Sequence, residues 1–176
     1  RVQRDDELVA LSPATRRNLE LTQTLRGEDA PTLLSLLDTC QTGMGSRLLR
    51  AWLLSPERDR QAARARLGAI AALRGDAPDE ASGSVAQTGS SWQKLRLQLK
   101  GSSDVERITA RIALRQVRPR ELSGLRATLH ALPALRREVP LGATVLLDML
   151  GEALTPPPEI ADLLTVALAD EPAVLL

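Results

Sequence analysis

A chain of 176 residues with 43% hydrophobic content can build one domain, or one and a half. Lys and Arg number 23 against 22 Asp and Glu, a net charge of +1, so no global field draws in nucleic acid. A single cysteine excludes an internal disulfide and no stretch of about 18 apolar residues offers a membrane span.

Phe and Tyr are absent and Trp occurs twice, so any core is built from Leu, Ala, Val and Ile. Leu- and Ala-rich chains with 26% charge lean helical. The lone thiol suits a reducing compartment, hence a cytoplasmic location. The amino-terminal charge run has no apolar region behind it and is no signal peptide. It lacks an initiator Met, and the other end stops on apolar Val174-Leu175-Leu176, so both ends read as those of a piece of a longer protein.

In chain order, Ser12-Pro13 starts a helix, with Ser as cap and Pro at the first helical position. Residues 14–20 continue it, although Leu19 to Thr24 fit a short extended piece equally well. Gly27 to Pro31 is a loop. Thr32 caps a short helix whose Leu33, Leu34, Leu36 and Leu37 are expected to be mostly buried. A polar turn follows, Asp38-Thr39-Cys40-Gln41-Thr42-Gly43-Met44-Gly45-Ser46-Arg47. Thr42 can cap the next helix. Leu48, Leu49, Trp52 and Leu53 give that helix one apolar stripe, which predicts a buried helix, with Arg47 and Arg50 outside the stripe. Pro56 stops or redirects the chain.

Residues 58–74 read as an amphipathic helix. Ala62, Ala63, Leu67, Ile70, Ala71 and Leu73 would face inward, and Arg58, Arg60, Arg64, Arg66 and Arg74 outward. Residues 75–91 hold Gly, Asp, Pro, Ser and Thr and read as a flexible loop. Order resumes at Trp92 with Leu95, Leu97 and Leu99. Ser103 and Glu106 can form a capping box for a helix running to about Gln116, with Val105, Ile108, Ile112 and Ala113 inward. Pro119 opens the next helix, where Leu122, Leu125, Leu129 and Leu132 recur at helical spacing. Pro133 and Pro140 divide off short segments. Leu141–Leu150 is one more helix, Thr155-Pro156-Pro157-Pro158 a stiff spacer, and Glu159–Ala169 the last helix. Nothing shows sustained period-2 alternation, so the fold class is all-α with antiparallel packed helices.

Chemistry is sparse. No Gly-x-x-x-x-Gly-Lys-Ser/Thr loop exists to cradle a nucleotide. Gly43 to Ser46 opens a helix that could hold an anion, but a tight helix start explains both glycines. His130 has no zinc or triad partners in sight, and Cys40 reads as a buried inert thiol. Trp52 and Trp92 read as core or interface anchors. Arg107, Arg111 and Arg115 form an i, i+4, i+8 row extended by Arg118 and Arg120. The row could meet phosphates. A solvated face paired with Asp104, Glu106 and Glu121 explains it better, since no aromatic interleaves for stacking.

Three ordered motifs resemble the core domain of the MutS family of DNA mismatch-repair ATPases. They are Thr15-Arg16-Arg17-Asn18-Leu19-Glu20-Leu21, then Thr42-Gly43-Met44-Gly45-Ser46-Arg47 with Leu48-Leu49 and Trp52-Leu53, then Asp104-Val105-Glu106-Arg107-Ile108, Arg111 and Arg118-Pro119-Arg120-Glu121-Leu122. They cover roughly residues 10–135. The chain departs from the family at Gly43, where Pro is usual, and in a longer Gly/Ser-rich insert near residue 82. The resemblance implies structural roles for Thr15, Arg16, Asn18, Glu20, Thr42 to Arg47, Trp52, Asp104, Glu106, Arg107, Arg111, Arg118, Pro119 and Leu122. Arg115 and Arg120 remain as weak candidates for DNA-phosphate contact.

The resemblance also implies a division of the chain. Residues 1–30 lead into the core, 31–74 form its first helical part, 75–91 the loop, and 92–176 a second helical part leading toward long lever helices. The parent would clamp mismatched duplex DNA as a homodimer and bind ATP and Mg in a remote domain. This segment would be a non-catalytic hub, without cofactor or metal of its own, partnered by the remaining domains of the parent. The rival reading is a free-standing all-α interaction scaffold.

Overall fold

A computed structural model describes residues 7–76 and 91–169. Among these residues the regular structure is helical, and the β feature is an isolated bridge between Leu8 and Glu57. The all-α expectation is met. The chain divides into two compact units, Arg1–Ala63 and Arg64–Leu176. Helix α4, Gln61–Arg74, crosses that boundary.

Unit 1 holds α1 (Pro13–Asn18), α2 (Leu33–Leu37) and α3 (Gly43–Leu54). The Ser12 hydroxyl accepts from the Thr15 amide at 3.0 Å, with Pro13 at the first helical position. Helix α1 ends early because Glu20 takes a left-handed φ of 45°. Residues 19–24 are therefore neither helix nor strand. They form a turned segment with Leu21 and Thr24 buried, tied to α2 by the Leu33 amide donating to the Glu20 carbonyl at 3.1 Å. Thr32 and Ser35 cap α2 reciprocally, side chain to amide, at 3.1 and 2.8 Å.

Three burial expectations fail, wholly or in part, in this unit. Leu33, Leu36 and Leu37 are exposed, Leu36 at 76%. A five-residue helix turns only one narrow side to α3, and Leu34 occupies it as a half-buried residue. The α3 stripe is only partly covered: Leu49 and Leu53 are half-buried, while Leu48 and Trp52 are exposed. Cys40 is likewise exposed rather than buried.

Helix α4 begins at Gln61, three residues later than the expected 58. Residues 56–58 pair with the amino-terminal strip instead, through the Val9 amide to the Pro56 carbonyl at 2.8 Å and the Arg58 amide to the Glu7 carbonyl at 2.9 Å. The Asp59 carboxylate then accepts from the Gln61 amide at 2.9 Å. The inward face of α4 matches the expected one in part. Ala62, Ala71 and Leu73 are half-buried as expected, but Ala63, Leu67 and Ile70 are exposed, while Ala69 is buried and Arg66 half-buried.

Unit 2 adds α5 (Ser91–Leu99), α6 (Val105–Ala113), α7 (Pro119–Arg137), α8 (Val145–Ala153) and α9 (Pro158–Ala167). The loop expected at 75–91 lies mostly outside the described residues. Order resumes at α5 as expected, with Trp92 exposed on it. One core cluster joins Ile108, Leu125, Leu129, Ala161 and Leu164 from α6, α7 and α9. A second joins Ala69, Val139 and Leu147, with Leu73 and Leu95 packed against it.

Helix α7 is the spine of this unit, in contact with α5, α6 and α9. Pro133 lies inside it and does not divide it. A proline leaves the carbonyl four residues earlier without its helical donor and in an isolated helix costs about 3 kcal/mol. Leu129 and Leu135, buried on either side of Pro133, anchor the helix through that position. Helix α8 starts at Val145, later than the expected Leu141, because Thr144 is the cap and accepts from the Leu147 amide at 3.2 Å. Gly142 turns the chain before it with φ 82°.

Candidate functional site

The Arg row is built on α6 and the start of α7. The cap of α6 is Asp104, whose carboxylate accepts from the Arg107 amide at 3.2 Å. Ser103 was expected there, but its amide is drawn away to the Thr128 hydroxyl of α7 at 2.9 Å. Helix α6 ends at Ala113 rather than Gln116, and Arg115 follows at φ 55°. Arg115 therefore leaves the helical row. Ile112 and Ala113, expected inward, are exposed.

What remains is a groove of about 670 Å³ lined by Asp104, Arg107, Arg111, Arg120 and Glu121, with Ile108 beneath. Three cations thus face two carboxylates. Arg111 meets Glu121 at 3.2 Å and also donates to the Gln116 carbonyl at 3.4 Å. Arg107 stands 3.7 Å from Asp104. Glu121 reaches back to accept from the Arg118 amide at 2.8 Å, closing the first turn of α7 behind Pro119. Exposed pairs of this kind contribute at most about 1 kcal/mol each. Leu122 is half-buried against the core, and Glu106 sits in the first turn of α6, where its charge complements the helix dipole.

The polar turn before α3 is the second expected site. Thr42 caps α3, accepting from the Gly45 amide at 3.0 Å. Gly45 leaves little room there: a Cβ would lie 3.2 Å from the Thr42 hydroxyl and 3.3 Å from the Cys40 Cβ, so either neighbour would have to shift by a few tenths of an ångström. Met44, Ser46 and Arg47 are half-buried in the first turns. Asp38 organises the turn, accepting from the Ser46 hydroxyl at 3.0 Å and from the Cys40 amide at 3.1 Å. The Ser46 bond, and then the Cys40 amide, hold its carboxyl below the ordinary carboxylate range. Stability from this group is present above that range and is lost as pH falls through the lowered value. Asp38→Asn should flatten that part of an acid-unfolding profile, read by circular dichroism, and leave the neutral-to-alkaline arm unchanged.

The first motif spans the end of α1. Thr15 donates its amide to the Ser12 cap, Arg16 is exposed, Asn18 is the last helical residue, and the Glu20 carboxylate accepts from the Leu25 amide at 2.7 Å.

The three motifs thus occupy, in order, the end of α1, the α3 cap and the α6–α7 groove. A family model described as MutS domain III matches residues 14–176. The chain belongs to the MutS domain III family. It is thus a domain of a MutS-family mismatch-repair protein.

The turn before α3 is a poor seat for a phosphate. The Gly45 amide is taken by Thr42, and the Asp38 carboxylate occupies the mouth of the turn, where a phosphate would meet like charge. No group of three or more His, Cys, Asp and Glu that could hold a metal occurs among the described residues. No described helix of this MutS domain is long and apolar enough to cross a membrane.

Four bonds that sequence reasoning missed tie α7 to its neighbours. Arg126 donates to the Leu168 carbonyl at 3.0 Å, and Arg136 to the Gly151 carbonyl at 2.9 Å. His130 Nε2 lies 3.0 Å from the Thr165 hydroxyl, which itself donates to the Ala161 carbonyl. That hydroxyl has one proton, so His130 is the donor. Thr128 receives the Ser103 amide. An Arg or His on a helix carries no sequence mark for such a role.

Gly43, where the family usually has Pro, is the first helical residue of α3 and is exposed. Its amide is one of those without an intrahelical acceptor. Thr42 before it, at φ −132° and ψ 148°, already has the backbone a pre-proline residue needs. Gly43→Pro should stabilise the fold by about 0.4–1 kcal/mol through the unfolded state. A denaturant melt tests this; a lower midpoint than the parent would mean that the cap geometry is wrong.

Proposed function

We propose that this domain is a non-catalytic mechanical hub of its parent, coupling mismatched-DNA binding to a remote ATPase that holds ATP and Mg. In this reading the parent acts in the cytoplasm as a homodimer, and the domain's immediate partners are the other domains of the same chain. The supporting observation is the spine. Helix α7 is 19 residues long and is cross-tied to α9, α8 and the α5–α6 loop by side-chain-to-backbone and side-chain-to-side-chain bonds. Such ties resist sliding of one helix along another, which is what transmission of a displacement needs. The Arg groove fits the same role. Arg107 and Arg111 are matched by carboxylates that fix the α6–α7 corner, and Arg120, unpaired among the described residues, is the lining cation open to a weak phosphate contact.

The test uses the parent protein with Arg126→Ala and Arg136→Ala combined. Mismatched-duplex affinity and basal ATP turnover should persist, while the change in turnover on adding mismatched duplex should shrink severalfold. Unaltered coupling with both ties removed would refute the hub.

A further inference from the structure

Unit 1 carries a cleft that the hub does not use. It lies between α1, the loop that follows it and the end of α3, and encloses about 520 Å³. Arg16 and Arg17 line it from α1 and Arg26 from the loop, with Pro13, Leu25 and Leu54 supplying apolar wall, and no lining residue is acidic. Three guanidinium groups gathered in one cleft repel one another until an anion joins them.

The loop is held in place. The Glu20 carboxylate accepts from the Leu25 amide at 2.7 Å, so its charge is engaged by the backbone. Buried Thr24 donates its amide to the Glu28 carbonyl at 2.8 Å, and Arg17 donates to the Leu25 carbonyl at 3.2 Å. Among the described residues the side chains of Arg16 and Arg26 make no hydrogen bond or ion pair. Leu25 is 54% exposed within this cationic rim.

A small inorganic anion would satisfy the arginines and leave Leu25 and Leu54 wet. A nucleic acid would gain from aromatic stacking platforms, and none lines the cleft. Carboxylates on either side of an apolar side chain satisfy both parts, since guanidinium matches carboxylate two bonds at a time. We propose that this cleft is a docking site for an acidic peptide segment that places one apolar side chain on Leu25 between carboxylates held by Arg16, Arg17 and Arg26.

The probe is a fluorescein-labelled peptide of Glu and Asp around a single Leu, titrated by anisotropy into the 176-residue chain at physiological salt. Saturable binding is expected. Arg16→Gln or Arg26→Gln should each weaken it about tenfold, the loss of one charge-assisted bidentate contact. Arg26→Lys, which keeps the charge and loses the fork, should fall between. Arg107→Gln, in the other unit, should bind as the parent does. Absence of saturable binding would overturn the proposal. So would equal affinity for the same peptide with Ser in place of Leu, tighter binding of pyrophosphate or duplex DNA, or an Arg107→Gln defect as large as that of Arg26→Gln.

Discussion

Leu147→Ala is expected to destabilise unit 2 by about 2–5 kcal/mol. Leu147 is 3% exposed and sits on α8 against Ala69 and Val139, with Leu73, Leu95 and Leu154 around them. Part of the loss is the transfer of its methyl groups, and part is the cavity left behind. The neighbours cannot fill that cavity well. Ala69 has no side chain to extend, and Val139 is stiff at its only rotatable bond. The measurement is a denaturant melt followed by Trp92 fluorescence in a Trp52→Phe background, so that the signal belongs to unit 2. A lower midpoint at unchanged slope is the expected result. Leu163→Ala is the control, since that side chain on α9 is 61% exposed and its removal should cost within about 0.5 kcal/mol. Equal losses at the two leucines would mean that the second core cluster is misplaced.

The second large effect is at Thr128. It is 5% exposed, accepts from the Ser103 amide at 2.9 Å and donates to the Gly124 carbonyl at 2.9 Å. The approach there is close: a Cβ on Gly124 would lie 2.5 Å from the Ser103 hydroxyl. Thr128→Val keeps the shape and removes the hydroxyl, leaving the half-buried Ser103 amide without its acceptor. The expected cost is about 1–3 kcal/mol, the desolvation penalty of an orphaned amide. Thr128→Ser keeps both bonds and loses one methyl group, about 0.8 kcal/mol. The order parent, Ser, Val in melting midpoint is the result to look for. If Val matched or exceeded Ser, packing rather than the Ser103 bond would be what the hydroxyl position serves.

Local signals were legible in the sequence wherever the physics is local. Ser12-Pro13, Thr32 and Thr42 cap their helices because a hydroxyl and the next free amides are neighbours in the chain, whatever surrounds them. The same holds for the Leu125 and Leu129 side of α7 and for the order of the three MutS motifs. Capping failed to transfer at Ser103, where a competing acceptor, Thr128, comes from 25 residues away. Burial was legible on α7, which has neighbours on several sides. It was not legible on α2, α3 and α4, where periodicity marks an apolar stripe without saying whether anything covers it.

By itself, then, the sequence determined the helical class and most helix starts, which depend on residues within a turn or two of one another, and the MutS resemblance, which rests on the order of three such local motifs. Tertiary structure alone decided which faces are covered and that Pro133 is carried inside α7. It also decided that Arg16, Arg17 and Arg26 share one cleft. Which faces are covered depends on groups far apart in the chain competing for the same amide or apolar face, as Ser103 and Thr128 show, and no local pattern ranks such competitors.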